Sequence, residues 1–477
     1  MSGGSVTKNS ATDGGGGVNN NSTFNVSGAP RITGNTNGNV RLEDSKVITV
    51  NGDLTDGANI GVTARYPDKF PTVVSDSTDK TVFFSDDDKY ELVDNGSNGL
   101  KLYQHVHCVC GKSSAAETTH THDTTTIWKG IKDLSEIDKA GSYYLESDVT
   151  LKAAWDCTYD VNLCLNGKVI TGADGENAIN VASGASLTVT DCSSKAEGKI
   201  THSSGESGCG VYNSGTFTLM NGNITGNTAA ANGGGVFNQG TFMMAGGSIA
   251  SNTANYGGGV FNQKGTVTVK GGSISGNSAA KYGGGVLNNN GTVTISGGDV
   301  DKNTATQGGG VYVLGGSFTV TDESTISENS AQNGGGVYIY DGTFTLSGSP
   351  EISDNTEGGN VYLKSGKTIT VGETGMGSGA NVGITAENPS SNPTVISGTE
   401  SKGFFSDDDN YLLTVNSEKN GIMLVKPDPH YHCVCGSDTA SKFSHTHDKT
   451  TSWKAISGTS ATTLENGNYY LYDDVTL

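Results

Sequence analysis

Gly257–Ala279 reads GGGVFNQKGTVTVKGGSISGNSA, and the chain repeats it on both sides. Aligned on the valine that follows the glycine run, the repeat shows Val211, Val236, Val260, Val286, Val311, Val337 and, more weakly, Val361, at intervals of 25, 24, 26, 25, 26 and 24 residues. Each unit holds three short strand signals: G-V-[FY]-N as at Gly259–Asn262, T-[FV]-T-[LV] as at Thr266–Val269, and S-I-S as at Ser273–Ser275. Glycine or asparagine turns separate them. Alternation puts Val267 and Val269 on one face and Thr266 and Thr268 on the other. Strands this short do not hold a hairpin stack together alone. Three of them per repeat suit one coil of a parallel β-helix, in which each coil pairs with the next at about 4.8 Å.

The expected fold is therefore all-β, a right-handed parallel β-helix of about 25 residues per coil, in tandem modules. Three ladders should line its core: Phe217, Phe242, Val267, Val293, Phe318, Phe344; Ile224, Ile249, Ile274, Val300, Ile326, Ile352; and the valine series itself. Asn227, Asn252, Asn277, Asn303, Asn329 and Asn355 should form a turn ladder, because Asn tolerates left-handed backbone and its amide can bond to the next coil.

Composition agrees. Glycine supplies 71 of 477 residues, about twice the usual share, and at that density helix interiors are disfavoured. Eight prolines and no Gly-X-Y period exclude collagen. The net charge of −20 argues against nucleic-acid or anionic-membrane partners. No apolar run approaches the roughly 20 residues that span a bilayer, so no membrane insertion is expected.

A second period overlies the first. His105-Val-His-Cys-Val-Cys-Gly111 returns as His430-Tyr-His-Cys-Val-Cys-Gly436; Trp128 returns as Trp453, and FFSDDD at 83–88 returns at 404–409. The expected organisation is 1–102, coils and cap of an upstream β-helix; 103–128, a His/Cys knuckle; 129–425, a β-helix module with caps at 129–160 and 386–425; 426–453, a second knuckle; and 454–477, the start of a next module. The chain reads as an excerpt of a longer array, with signal and anchor outside it.

The repeat resembles the right-handed parallel β-helix repeats of bacterial surface proteins. It is similar to the polymorphic outer-membrane protein repeat, with Gly-Gly-Gly-Val as at Gly283–Val286 where that repeat has Gly-Gly-Ala, and Ile-x-x-Asn as at Ile274–Asn277 where it has Phe-x-x-Asn. The lead-in Leu163–Ile170 resembles the opening coil of large surface proteins of gut Firmicutes. The resemblance covers roughly 143–385 and 3–50. It implies a non-enzymatic, extracellular, Gram-positive cell-surface adhesin whose partners are glycans or surface proteins of a host or neighbouring cell. It carries little about activity, since this fold hosts adhesins, enzymes and stalks alike.

Eight of the nine histidines sit in two clusters of pattern H-x-H-C-x-C-G-x8-H-x-H-D. Imidazole and thiolate are preferred zinc ligands, four to a structural site. The expected ligands are Cys108, Cys110, His120 and His122, and Cys433, Cys435, His445 and His447, with His105, His107, His430 and His432 in reserve. Asp123 and Asp448 are placed to orient a ligating imidazole. The spacing is C-x-C rather than C-x2-C, so a thiol hinge with surface histidines is the alternative. A segment of some 25 residues builds little core, and a metal would supply its folding energy.

Other candidates lie on the β-helix. Asp299 and Asp301 share a face, with Glu351 two coils away in the Asp299 column; paired carboxylates suit a polysaccharide-active enzyme, a lyase or glycoside hydrolase. Neighbouring coils carry Ser or Thr there, and no cationic cluster accompanies the pair. Asp86–Asp88 and Asp407–Asp409 are acidic turns that could hold calcium. A double threonine column, Thr216/Thr218, Thr266/Thr268, Thr292/Thr294 and Thr343/Thr345, is broken by Met243 and Ser317; it suits water ordering or a plain exposed face. Tyr312 and Tyr338, one coil apart, are expected to stack and contact a ligand, beside Tyr256, Tyr282 and Tyr340. Cys157, Cys164, Cys192 and Cys209 allow three pairings that sequence does not choose among. Cys192–Cys209 would close 193–208 in an exported chain, and buried thiols are the alternative. A passive spacer in a larger surface protein is the third functional reading.

Overall fold

The computed structural model describes all residues except 66–71, 80, 87–89, 96, 105–127, 194–196, 204–207, 392, 427–452, 457–467 and 472–477. It is a parallel β-solenoid of about 14 turns spaced about 25 residues apart. Among the described residues the helical pieces are two single 3-10 turns, Leu134–Glu136 and Pro389–Ser391.

The larger body is one 32-stranded sheet wound from Trp128 to Val425. One coil runs Val236–Asn238, Thr241–Met244, Ser248–Ala250. Each strand pairs in parallel with its counterpart one coil on, so all three expected core ladders align. Phe217, Phe242, Val267, Val293, Phe318 and Phe344 are successive register partners. So are Ile224, Ile249, Ile274, Val300, Ile326 and Ile352. The valines from Val211 to Val361 form the third column. All are fully buried. Like stacks on like because each coil presents the same residue at the same height: the Phe217 and Phe242 rings lie 5.1 Å apart, as do Phe318 and Phe344. Burying each such ring stabilises by about 1.5–3 kcal/mol.

Polar ladders cross the same core. Asn227, Asn252, Asn277, Asn303 and Asn329 are fully buried. Each side-chain amide donates to the Oδ1 of the next Asn at 2.9–3.0 Å, the last reaching Asn355. Each backbone amide donates to that same oxygen, as Asn252 does to Asn277 at 3.0 Å, and Nδ2 also reaches a backbone carbonyl, as Asn277 does that of Ile249 at 2.8 Å. The expected left-handed backbone lies one residue earlier than the sequence suggested. Gly226, Ser251, Gly276, Lys302, Glu328 and Asp354 have φ of 55° to 70°, and the Asn residues do not. The preceding residue makes the bend, which frees Asn to turn its amide inward. A second buried ladder joins Asn213, Asn238, Asn262 and Asn288 at 2.7–3.0 Å.

The glycine triplets answer two demands. The first of each is left-handed, as Gly257 is at φ 62°. The second approaches the next coil, and a Cβ on Gly258 would lie 2.4 Å from the carbonyl oxygen of Ser278.

Residues Ser5–Gln104 form a body of their own, a six-stranded and a five-stranded sheet around Ile32, Val40, Leu42, Ile48, Ile60, Val62, Val74 and Leu100. Both bodies finish alike. Leu412–Val415 pairs antiparallel with Gly421–Val425, which pairs antiparallel with the parallel-coil strand Thr394–Ser397. Tyr90–Asp94, Gly99–Gln104 and Val74–Ser75 repeat this upstream. A reversed hairpin covers the open edge that a parallel stack leaves.

Candidate functional site

The outward side of the G-V-[FY]-N strands carries an aromatic ridge. Valine faces the bore, so the next residue faces out, and these residues stack in register: Tyr212, Phe237 and Phe261 at 5.0 and 5.2 Å, then, past Leu287, Tyr312, Tyr338 and Tyr362 at 5.1 and 4.9 Å. The strands Thr253–Tyr256 and Ser278–Tyr282 pair outside the main sheet and lay Tyr256 and Tyr282 against the ridge.

Tyr312 and Tyr338 do stack, but their residues are only 2% and 3% exposed. Tyr312 lies between Tyr282 at 4.7 Å and Tyr338 at 5.1 Å, with interplanar angles of 11° and 15°. A sugar stacks on a ring face, and these faces are spent on each other. Ligand contact expected at this pair would therefore not be made through these ring faces. Burial pushes both hydroxyls above the ordinary tyrosine range. Tyr340 is 42% exposed, with Lys364 Nζ 5.3 Å from its ring centre. Lys364 in turn pairs with Glu387 at 2.9 Å.

The carboxylate column is as the repeat implied: Ser273, Asp299, Thr325 and Glu351 are successive partners. Asp301 is already engaged, bound by Lys302 Nζ at 2.9 Å and by the Ser273 hydroxyl at 3.3 Å. Glu351 accepts from the Ser353 hydroxyl at 3.3 Å. In the hydroxyl face, the outer column is continuous: Thr216, Thr241, Thr266, Thr292, Ser317 and Thr343 are partners. Met243 interrupts the inner one.

The acidic strings have a structural use that sequence did not show. Asp86 and Asp407 each accept two hydrogen bonds from an asparagine, Asn39 and Asn360. Asp408 accepts from the backbone and side-chain amides of Asn410 at 2.9 and 2.7 Å. These oxygens are committed to protein donors.

All twelve cluster residues proposed for zinc, His105, His107, Cys108, Cys110, His120, His122, His430, His432, Cys433, Cys435, His445 and His447, lie outside the described residues. Among the described residues no three His, Cys, Asp or Glu side chains gather as a metal site. The ninth histidine, His202, was not singled out by sequence. It is buried, with Nδ1 2.8 Å from Asn227 Oδ1 and Nε2 3.0 Å from the Glu176 carbonyl oxygen.

The four remaining cysteines are buried thiols. Cys192 lies against Cys164, not Cys209: its backbone amide meets Cys164 Sγ at 3.4 Å, while Cys209 Sγ donates to Asn177 Oδ1 at 3.1 Å. Burial raises the Cys157 thiol to about 11 and that of Cys209 to about 12.

Fold and faces together define the chain as a parallel β-solenoid with regular side-chain columns. No protein-family model, curated protein or solved structure matches it.

Proposed function

We propose that the chain is a stretch of a non-enzymatic bacterial cell-surface protein, a stiff acidic stalk and adhesin of the gut Firmicutes type. β-Solenoid modules would be joined by zinc-stabilised knuckles and would display their outer faces to glycans or surface proteins. The observation that carries this reading is the stacking regularity of the long body. Backbone pairing ties every coil of the long body to the next, buried amide ladders run from Asn213 to Asn355, and aromatic stacking reinforces many of the coils between, which favours a rod. The outer ridge and the hydroxyl columns repeat along that rod, an arrangement suited to repetitive ligands.

The test is binding of the purified chain to a panel of immobilised polysaccharides and to bacterial and epithelial cell surfaces, with product analysis. Saturable binding that leaves the glycan intact is expected. Reducing ends or unsaturated sugars, abolished by Asp299→Asn with Asp301→Asn, would replace it with the polysaccharide-active enzyme, for which the Asp299–Glu351 column is the supporting feature. No binding by this chain but binding by a longer one would leave a passive spacer.

For the knuckles, elemental mass spectrometry on protein purified without chelator or nickel should find about two zinc atoms per chain, one per four-ligand site. They should be lost when Cys108, Cys110, Cys433 and Cys435 become serine. Absence of metal would favour thiol hinges. Calcium is the lesser proposal, at the acidic strings.

A further inference from the structure

Cys164 ends the strand Asp160–Cys164, which pairs with Ser186–Thr190 of the next coil, Cys164 opposite Thr190. The chain then turns at Asp191, which is fully buried. Its carboxylate accepts from the amides of Gly167, Ser193 and Gly198 at 2.8, 3.1 and 2.7 Å. This clasp holds Cys192 over Cys164. The Cys192 amide donates to Cys164 Sγ at 3.4 Å, which sets the two thiols beside one another. Cys164 is 0% and Cys192 3% exposed. The other two thiols are turned elsewhere, Cys157 to the Tyr159 carbonyl at 3.3 Å and Cys209 to Asn177.

We infer that Cys164 and Cys192 form an oxidation site that closes to a disulfide between adjacent coils when the chain meets a disulfide-exchange oxidant. To bond, the sulfurs must close to about 2.05 Å. One thiol, as thiolate, attacks a small-molecule disulfide and releases one of its halves as a thiol. The second thiolate then attacks the protein sulfur of that mixed disulfide and releases the other half. The protein loses two protons and two electrons, and the oxidant gains them. The bond ties residues 28 apart in sequence, near the end of the long solenoid where the chain enters it. Ends of stacked-repeat proteins fray first; the Cys164 strand pairs with Gly141–Leu145 on one side and Ser186–Thr190 on the other, so a staple here locks the two coils on which the entry strands stack.

Burial holds the Cys164 thiol well above its ordinary range, so the oxidant is best applied during refolding. The full chain, refolded in a mixture of oxidised and reduced glutathione, is alkylated under denaturing conditions and digested. Trypsin places Cys192 and Cys209 on different peptides, and chymotryptic cleavage after Tyr159 separates Cys157 from Cys164. The expected product is a Cys164–Cys192 linked peptide, lighter by two hydrogens. It should persist in Cys209→Ser, and Cys192→Ser should leave Cys164 alkylated. Amide exchange in Asp160–Cys164 and Ser186–Thr190 should slow on oxidation. A Cys192–Cys209 or Cys157–Cys164 linkage, or four alkylated cysteines after refolding, would overturn the assignment. None of these readouts depends on ligand binding or on the knuckles, so failure here leaves the proposed function standing, and the reverse.

Discussion

Asn360 donates both its backbone amide and its side-chain amide to the carboxylate of Asp407, at 2.7 and 2.6 Å. Asn39 does the same to Asp86, at 2.7 and 2.5 Å. In the long body this is the last rung of the buried ladder: Asn355 donates to Asn360 at 2.9 Å, and Asn360 to Asp407. Every amide points the same way, oxygen toward the start of the solenoid and NH2 toward its end. Aligned amides polarise one another and sum to a dipole, as peptide units do in a helix. A carboxylate occupies the donor end, and at the oxygen end stands the Nδ1 of His202.

Two effects oppose at these carboxyls. Burial favours the neutral form, the asparagine donors favour the ionised one, and burial is the larger, so both Asp86 and Asp407 sit above the ordinary carboxylate range. A raised folded-state pKa means that the native chain keeps a proton the unfolded chain has released. The stabilisation is then complete below the unfolded value near pH 3.9 and is lost as pH rises through the raised folded value. Urea midpoints measured from pH 3.5 upward should show wild type losing stability relative to Asp407→Asn across that window. Parallel curves for the two proteins would contradict it.

Interior rungs should cost more than the ends. Asn277→Ala removes the acceptor for both the Nδ2 and the backbone amide of Asn252, and the donor to the Ile249 carbonyl. Each buried group left unpaired costs about 1–3 kcal/mol, so the loss should reach about 3 kcal/mol or more, read as a lowered urea midpoint. Lys270→Ala, exposed on the same coil as Asn277, should stay within about 0.5 kcal/mol.

The core was legible because a solenoid writes its register into its sequence. A 25-residue offset lands Phe217 on Phe242 and Ile224 on Ile249 without any long-range inference. The positions that break the period were not legible. Asp407 lies 47 residues from Asn360, nearly two coils on, and FFSDDD therefore read only as an acidic turn that could hold calcium. His202 occurs once and has no counterpart along the ladder, so no repeat flagged it. Tyr312 and Tyr338 were found as a pair but read as exposed, because alternation places them outward. Tyr282, on one of the paired strands Thr253–Tyr256 and Ser278–Tyr282 that sequence reads as plain turns, packs on Tyr312, and Tyr338 is packed between Tyr312 and Tyr362.

The turns should respond oppositely to two small substitutions. Ser251 bends the chain at φ 56°, where an L-residue pays about 1–2 kcal/mol. Ser251→Gly relieves that and gives back part of it as chain entropy, for a net gain of up to about 1 kcal/mol. Gly258→Ala has no such option, because its Cβ would meet the Ser278 and Gly284 carbonyl oxygens at 2.4 and 2.6 Å. It must push adjacent coils apart and should cost about 1–3 kcal/mol. Thermal melts of the two variants should shift in opposite directions.

The aromatic ridge separates holding the coil from meeting a ligand. Tyr338 is buried between Tyr312 and Tyr362, and its truncation to alanine opens a cavity costing about 3–5 kcal/mol. Tyr340 stands out from the ridge, its ring 6.3 Å from that of Tyr312 and beside the Lys364 ammonium. Tyr340→Ala should melt close to wild type, within about 0.5 kcal/mol. If glycans dock on this side of the solenoid, Tyr340 supplies an accessible ring. A sugar stacked there would be lost with it, lowering affinity about tenfold for an interaction of about 1.4 kcal/mol. Tyr338→Phe keeps the stack and should bind as wild type does. A Tyr340→Ala protein that melts and binds unchanged would move the contact to the hydroxyl columns on the Thr216–Thr343 face.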